Sequence, residues 1–203
     1  MVIRLKDIAR QLNISESTVS RALSDHPRIS DSTKKKVAEL AKKLNYQPNL
    51  IAKSLKLKKT KTIGLIIGDI TNPFYPEIVK GAEDIANKND LNIILCNSDY
   101  NPEKELEYLN VLAGKRVDGI LIMPAGKKLA SISFLNENNI SFVLIDTKPS
   151  VKVKTDCVYA DQEYGANIAT KHLIRLGHSK IALINGPKTS SPCKQVKSGF
   201  VKA

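Results

Sequence analysis

Between Lys6 and Leu44 the apolar residues fall three and four apart, whereas from Ile63 onward they come in short unbroken blocks. The first pattern predicts helices. Lys6 to Leu12 puts Ile8, Ala9 and Leu12 on one face, and Asn13 suits a left-handed stop. Ser15 then stands where an N-cap belongs, ahead of a second helix from Glu16 to about Ser24, with Ile14, Val19, Ala22 and Leu23 available to a core. A third helix, Asp31 to Leu44 behind Ser30, carries Val37, Leu40, Ala41 and Leu44 at helical spacing, and Asn45 ends it. So short a gap between the first two helices forces a sharp crossing, the helix-turn-helix arrangement whose second helix can lie in a DNA major groove.

The second pattern predicts a parallel sheet. The blocks "TIGLIIG", "LNIILCN", "VDGILIMP" and "ISFVLID" are apolar on both faces and alternate with helical stretches over 77–87, 103–112 and 130–138. Together they describe a doubly wound α/β domain, in which ligands bind beyond the strand C-termini. That rule places Asp69, Phe74, Tyr75, Asn97, Ser98, Pro124 and Asp146 near one rim. A further series, "DCVYAD", a helix from Tyr164 to Leu176, the strand "SKIALING" and a polar loop leading to "VKSGFVKA", reads as the opening of another lobe.

Charge sharpens the division. The net charge is +12, yet residues 1–62 hold 15 Lys/Arg against 5 Asp/Glu while residues 63–203 hold 17 against 15. A basic head on a near-neutral body suits a polyanion-binding module attached to something else. The segment between them, "YQPNLIAKSLKLKKTKT", has room for two or three helical turns from Asn49 to Leu57. Its leucines need a cover, either the body or DNA, and Lys56, Lys58, Lys59 and Lys61 favour DNA. No apolar run is long enough for a membrane span, and charges at Arg4, Lys6, Asp7 and Arg10 break any signal-peptide core, so a cytoplasmic chain without membrane partners is expected. Cys96, Cys157 and Cys193 form no Cys-x-x-Cys pair, and His26, His172 and His178 lack metal-site spacing, so neither metal nor cofactor is expected. Phosphate-loop, dinucleotide and nucleophile-elbow signatures are absent, which argues against an enzyme.

The succession "LKDIARQLNISESTVSRAL", "ISDSTKKKVAELAKKLNYQPNLIAKSL", "TKTIGLIIGDITNPFY", "CNSDYNPEKELEYLNVLAGKRVDGILIMP" and "DQEYGANIATKHLIRLGHSKIALINGP" resembles the lactose-repressor and galactose-repressor family of bacterial transcription regulators. The resemblance implies a three-helix helix-turn-helix domain over 1–47 and a hinge helix and linker over 48–62. A first periplasmic-binding-protein-like lobe would follow over 63–158, and an incomplete second lobe over 159–203. It implies that Glu16, Ser17 and Arg21 read base edges, that Thr18 and Ser20 meet phosphate or the rim, and that a hinge segment including Asn49 puts Leu55 into the central minor-groove step with Lys56 along the same groove. Residue chemistry agrees: Arg can grip guanine bidentately, Glu accepts from cytosine, and Ser is permissive. The implied partners are a palindromic double-stranded operator, a second copy of the chain, and a small sugar-like or nucleobase-like effector touching Phe74, Tyr75 and Asp146.

Two departures temper the effector expectation. Val196, three residues before Gly199 and Phe200, stands where relatives often carry a ligand-gripping arginine, and valine donates no hydrogen bond. The second lobe also stops short of the resemblance's full extent, so an impaired or absent effector response is expected. Two alternatives remain: an effector-blind fragment binding DNA only through charge, and a solute-binding module, which the basic head disfavours.

Overall fold

The computed structural model describes residues 3–47, 59–125, 130–147, 155–186 and 191–203. The chain divides into two compact units, Met1–Lys56 and Leu57–Ala203.

In the first unit, α1 (Leu5–Leu12), α2 (Glu16–Leu23) and α3 (Asp31–Lys43) form where their caps dictate. The Arg4 N–H donates to Asp7 Oδ2 at 2.8 Å at the start of α1. Asn13, with φ of 50°, turns the chain out of α1. Ser15 Oγ accepts the Thr18 N–H at 3.1 Å, and Ser30 Oγ accepts that of Thr33 at 3.3 Å. These bonds satisfy helix-start donors that would otherwise lack partners. Ile8, Ala9, Val19, Ala22, Val37 and Ala41 interlock as the core, closed by half-buried Leu12, Ile14 and Leu40. Leu23 does not join them. It sits exposed at the rim, because Val19 and Ala22 already fill the face of α2 turned to its neighbours and the helix ends at Leu23.

The second unit is a five-stranded parallel sheet in the order β2-β1-β3-β4-β5. Its strands are β1 (Thr62–Ile67), β2 (Asn92–Asn97), β3 (Gly119–Ile122), β4 (Phe142–Ile145) and β5 (Asp156–Val158). The crossovers are α4 (Phe74–Lys88), α5 (Pro102–Gly114) and α6 (Ala130–Glu137). Strand alternation divides the apolar residues between two cores. Ile66, Ile120, Ile122 and Leu144 meet Leu109, Leu112 and Leu135 on one face, while Leu65, Ile67, Ile93, Leu121 and Ile145 meet Tyr75, Ile78 and Val79 on the other. A Cβ on Gly64 would lie 2.6 Å from Leu112 Cδ1, so a glycine lets α5 settle on β1.

Two sequence expectations are corrected by this topology. "DCVYAD" does not open another lobe: Asp156–Val158 pairs with β4, Leu144 opposite Cys157, and completes the sheet. "SKIALING" is not a strand among the described residues. Residues 178–186 hold no regular structure and Ile184 is 99% exposed, since a strand exists only where a neighbour accepts its ladder. After β5 the chain forms a helix pair, α7 (Gln162–Arg175) and α8 (Ser191–Val201). They cross so closely that a Cβ on Gly199 would fall 2.0 Å from the Glu163 carbonyl oxygen. Lys202 pairs with Glu163 across the same crossing.

Candidate functional site

The head offers one short polar strip. Ser15 starts α2, so Glu16, Ser17, Ser20 and Arg21, at i, i+1, i+4 and i+5, share the side opposite Val19 and Ala22. Glu16, Ser17 and Arg21 are exposed; Thr18 and Ser20 are half-buried. The Ser15 hydroxyl lies 2.8 Å from that of Ser17 and 2.8 Å from that of Thr18, making a hydroxyl cluster at the positive end of the helix dipole. Arg21 projects from the last turn, and the Ser24 hydroxyl donates to its carbonyl at 3.1 Å, fixing the helix end beneath it. A strip with donors and acceptors but no bulk can follow a groove floor. Below it Lys34 bridges to Asp25 at 2.7 Å, and this ion pair holds the Asp25 carboxyl below the ordinary carboxylate range. Asn49, Leu55 and Lys56 lie outside the described residues.

The body's candidate site lies at the C-terminal ends of β1, β2 and β4. The strand order reverses direction between β1 and β3, the switch point where open parallel sheets take ligands. Phe74 and Tyr75 open α4, with ring centroids 5.3 Å apart and planes at 73°. Phe74 is 45% exposed while Tyr75 is 8% exposed, so of the two only Phe74 presents a face to solution. The Tyr75 hydroxyl sits 2.9 Å from that of Tyr100. Burial pushes the Tyr75 phenol well up, and the Tyr100 bond and the nearby Asp146 and Asp69 carboxylates push it the same way, so it stays a neutral donor. Asp146 follows β4 in the left-handed conformation, φ 52°, its N–H donating to the Val158 carbonyl at 2.8 Å. Burial raises the Asp146 carboxyl even though Gln162 at the start of α7 donates to it.

Tyr100 escaped sequence reasoning. Its ring lies against the Gly68 backbone, where a Cβ would be 2.4 Å from Cε1, and its N–H donates to the Gly68 carbonyl at 3.2 Å. The one available signal was a glycine directly after a strand. The other rim residues brace loops. Asn97 Oδ1 accepts the Ile70 N–H at 3.0 Å, Asp69 Oδ1 takes the Thr71 N–H at 2.9 Å, and buried Ser98 donates to the Ile67 carbonyl at 3.0 Å. Glu105, 1% exposed on α5, accepts the Ala125 N–H at 2.6 Å and the Ser131 hydroxyl, tying the chain after β3 to the body. Burial raises the Glu105 carboxyl against both hydrogen bonds. Val196 is half-buried on α8 and brings no donor. Among the described residues no three His, Cys, Asp or Glu side chains gather as metal ligands would, and no helix is long and apolar enough to cross a membrane.

Similarity to known proteins divides the chain in the same way. Residues 4–49 match the bacterial regulatory proteins of the lacI family, and residues 60–203 match the periplasmic binding proteins and sugar binding domain of the LacI family. The HTH-type transcriptional regulator RegA of Clostridium saccharobutylicum is 45% identical over 188 residues, covering 93% of this chain and 56% of that protein. Catabolite control protein A of Priestia megaterium is 41% identical, covering 92% and 56%. The HTH-type transcriptional repressor PurR of Photobacterium profundum is 36% identical, covering 98% and 60%. The chain therefore spans less than two thirds of the length of these relatives. Among solved structures, the lac repressor dimer bound to operator and the anti-inducer ONPF superimposes with a TM-score of 0.87 at 25% identity, covering 100% of this chain and 61% of that one.

Proposed function

Because the chain belongs to the LacI family of bacterial regulatory proteins, we propose that it is a sequence-specific DNA-binding regulator, not an enzyme, that represses transcription as a dimer on a palindromic operator. The observation that carries this reading is the exposed Glu16, Ser17, Arg21 strip on a capped helix of a basic three-helix head. Base readout falls to those three residues, with Thr18 and Ser20 at the rim. Asn49, Leu55 and Lys56 belong to the hinge segment, where Leu55 enters a central minor-groove step. An inserted leucine costs a few kcal/mol of unstacking and kinks the duplex so that both half-sites engage. The head comprises residues 1–47, the hinge and linker 48–62, and the sensor body the remainder.

The body carries the contact surface for a small sugar-like or nucleobase-like effector, with an impaired response. Phe74 offers the exposed aromatic face, Tyr75 stays protonated beside it, and Asp146 supplies the acceptor. Val196 offers no donor, so a sugar gripped from that side is disfavoured and the response to simple sugars is weak or absent. Tight, saturable binding of a small sugar by calorimetry overturns this part.

The test of the main reading is selection of the 203-residue protein against random duplex DNA, followed by titration of the winner and a scrambled duplex at two salt concentrations. A near-palindrome with a central pyrimidine-purine step and a clear affinity gap is expected. Equal, equally salt-sensitive binding to both duplexes overturns specific readout and leaves a basic patch.

A further inference from the structure

Directly before β3, Asp118 makes a clamp on the residues that lead into β1. Its Oδ1 accepts the Thr60 N–H at 2.7 Å and the Thr60 hydroxyl at 3.0 Å, and its Oδ2 accepts the Lys61 N–H at 2.9 Å. The Thr60 hydroxyl also lies 3.1 Å from the Arg116 carbonyl, and the Asp118 N–H returns a bond of 2.7 Å to the Thr62 carbonyl. On the other side the Lys61 carbonyl accepts the Asn92 N–H at 2.8 Å and the Lys61 ammonium lies 3.7 Å from Asp90. Residues 60 and 61 are thus held from both strands that flank β1.

The turn so held is one the chain would not adopt unaided. Lys61 has φ of 53°, left-handed for a residue with a Cβ and therefore strained. Such a conformation persists only where its surroundings over-determine it. A carboxylate taking two successive backbone N–H groups is a strong way to do so, since each bond has an ionised acceptor. The sheet itself does not require it: the ladder of β1 begins at Thr62 opposite Asn92 and Ile63 opposite Gly119.

We propose that Asp118 is a positioning residue for operator binding: by clamping Thr60 and Lys61 it fixes the point and direction in which the linker leaves the body, and so keeps the hinge in register with its twin. The inference rests on the hinge reading of Leu55. Four residues, 56–59, separate Leu55 from the clamp. Releasing the clamp frees Thr60, leaves Lys61 held only from the β2 side by the Asn92 N–H, and lengthens that stretch to the five residues 56–60, each added residue reaching at most about 3.6 Å further. In the flexible-chain limit, lengthening both arms this way lowers the effective concentration of one hinge for the other about 1.4-fold. Loss of a fixed exit direction adds to that.

The test uses the full 203-residue chain with Asp118→Ala, Asp118→Asn, Leu55→Ala and the Leu55→Ala/Asp118→Ala double variant. Hydrogen exchange should find the Thr60 and Lys61 amides protected, with protection lost in Asp118→Ala while Leu65 to Ile67 stay protected. Unprotected Thr60 and Lys61 amides in the parent chain, or β1 exchanging as fast as they do in the variant, overturn the proposal. On the selected and scrambled duplexes, Asp118→Ala should lower the affinity ratio at least about 1.4-fold, with Asp118→Asn, which keeps one acceptor, in between. In the Leu55→Ala background the same substitution should change nothing further. A ratio unchanged by Asp118→Ala while Leu55→Ala lowers it, or a drop that persists without Leu55, overturns the clamp's role. A Leu55→Ala variant that discriminates as well as the parent overturns the hinge reading itself and the inference with it.

Discussion

Arg21 is the residue of the α2 strip able to grip two acceptors of a single base, and it stands exposed on the last turn of α2. Arg21→Ala should cost about 1–3 kcal/mol on the selected duplex and relax one base position, because a bidentate contact to guanine is lost. Equal loss on the scrambled duplex, in the same titration, would assign Arg21 to phosphate. Gly199 makes the matching point for the body. Any side chain there meets the Glu163 carbonyl, so Gly199→Ala must push α8 off α7 and weaken the Asn167 amide bond to the Gly199 carbonyl, now 3.3 Å. We expect a destabilisation of roughly 1–3 kcal/mol, the usual cost of overpacking, seen as earlier thermal unfolding of the body with the head unaffected. An unchanged melting profile would mean that the crossing relaxes freely. Such close approaches are where sequence reading fails. Tyr100 over Gly68 and Gly199 under Glu163 are long-range contacts, and a glycine in the sequence says only that something comes near.

Among the elements, those fixed by local chemistry were readable and those fixed by partners were not. Asn13, Ser15 and Ser30 cap α1, α2 and α3 where their side chains predict. The runs of β1 to β4 declared themselves by being apolar on both faces. β5 spans three residues, two of them exposed, and only its pairing with β4 makes it a strand. "SKIALING" carries a strand's pattern and forms none among the described residues. α8 hides its helical signal, Val196 and Phe200 four apart behind Pro192 in the first turn, among serines, lysines and a mid-helix glycine. The caps give a direct test. Ser15→Ala removes the acceptor for the Thr18 N–H and the hydroxyl that links those of Ser17 and Thr18 at the start of α2, and should cost about 1 kcal/mol of head stability. Because the reading strip begins in that turn, binding to the selected duplex should weaken more than binding to the scrambled one. A stable head with unchanged discrimination would show that the turn is held by packing alone.

Across the whole molecule the two units answer pH in opposite directions. In the body, burial raises the Glu105 and Asp146 carboxyls, so between their unfolded and folded pKa values the folded body holds protons that the unfolded chain has released. Their contribution is full below the unfolded carboxylate pKa, about 4, and is lost as pH rises through the folded values. In the head, the Lys34 ion pair lowers Asp25, whose contribution is present above the unfolded pKa and lost as pH falls through the folded one. Asp99, lowered by Lys104, opposes the body's trend, but it is as solvent-screened as Asp25, and buried Glu105 with half-buried Asp146 should prevail. Residue-resolved hydrogen exchange from about pH 4 to 7, corrected for intrinsic rates, should show the body losing stability while the head changes little, its own loss coming only below about pH 4. Glu105→Gln separates the cause. Its amide oxygen can still accept from Ser131 while its nitrogen faces the Ala125 N–H, so absolute stability falls; the informative quantity is the slope. The body's decline with rising pH should flatten in Glu105→Gln and stay as steep in Asp25→Asn. A parallel decline in the parent and Glu105→Gln would mean that the carboxylate is paired well enough to ionise in place, and that the chain after β3 is tied down equally at every pH in this range.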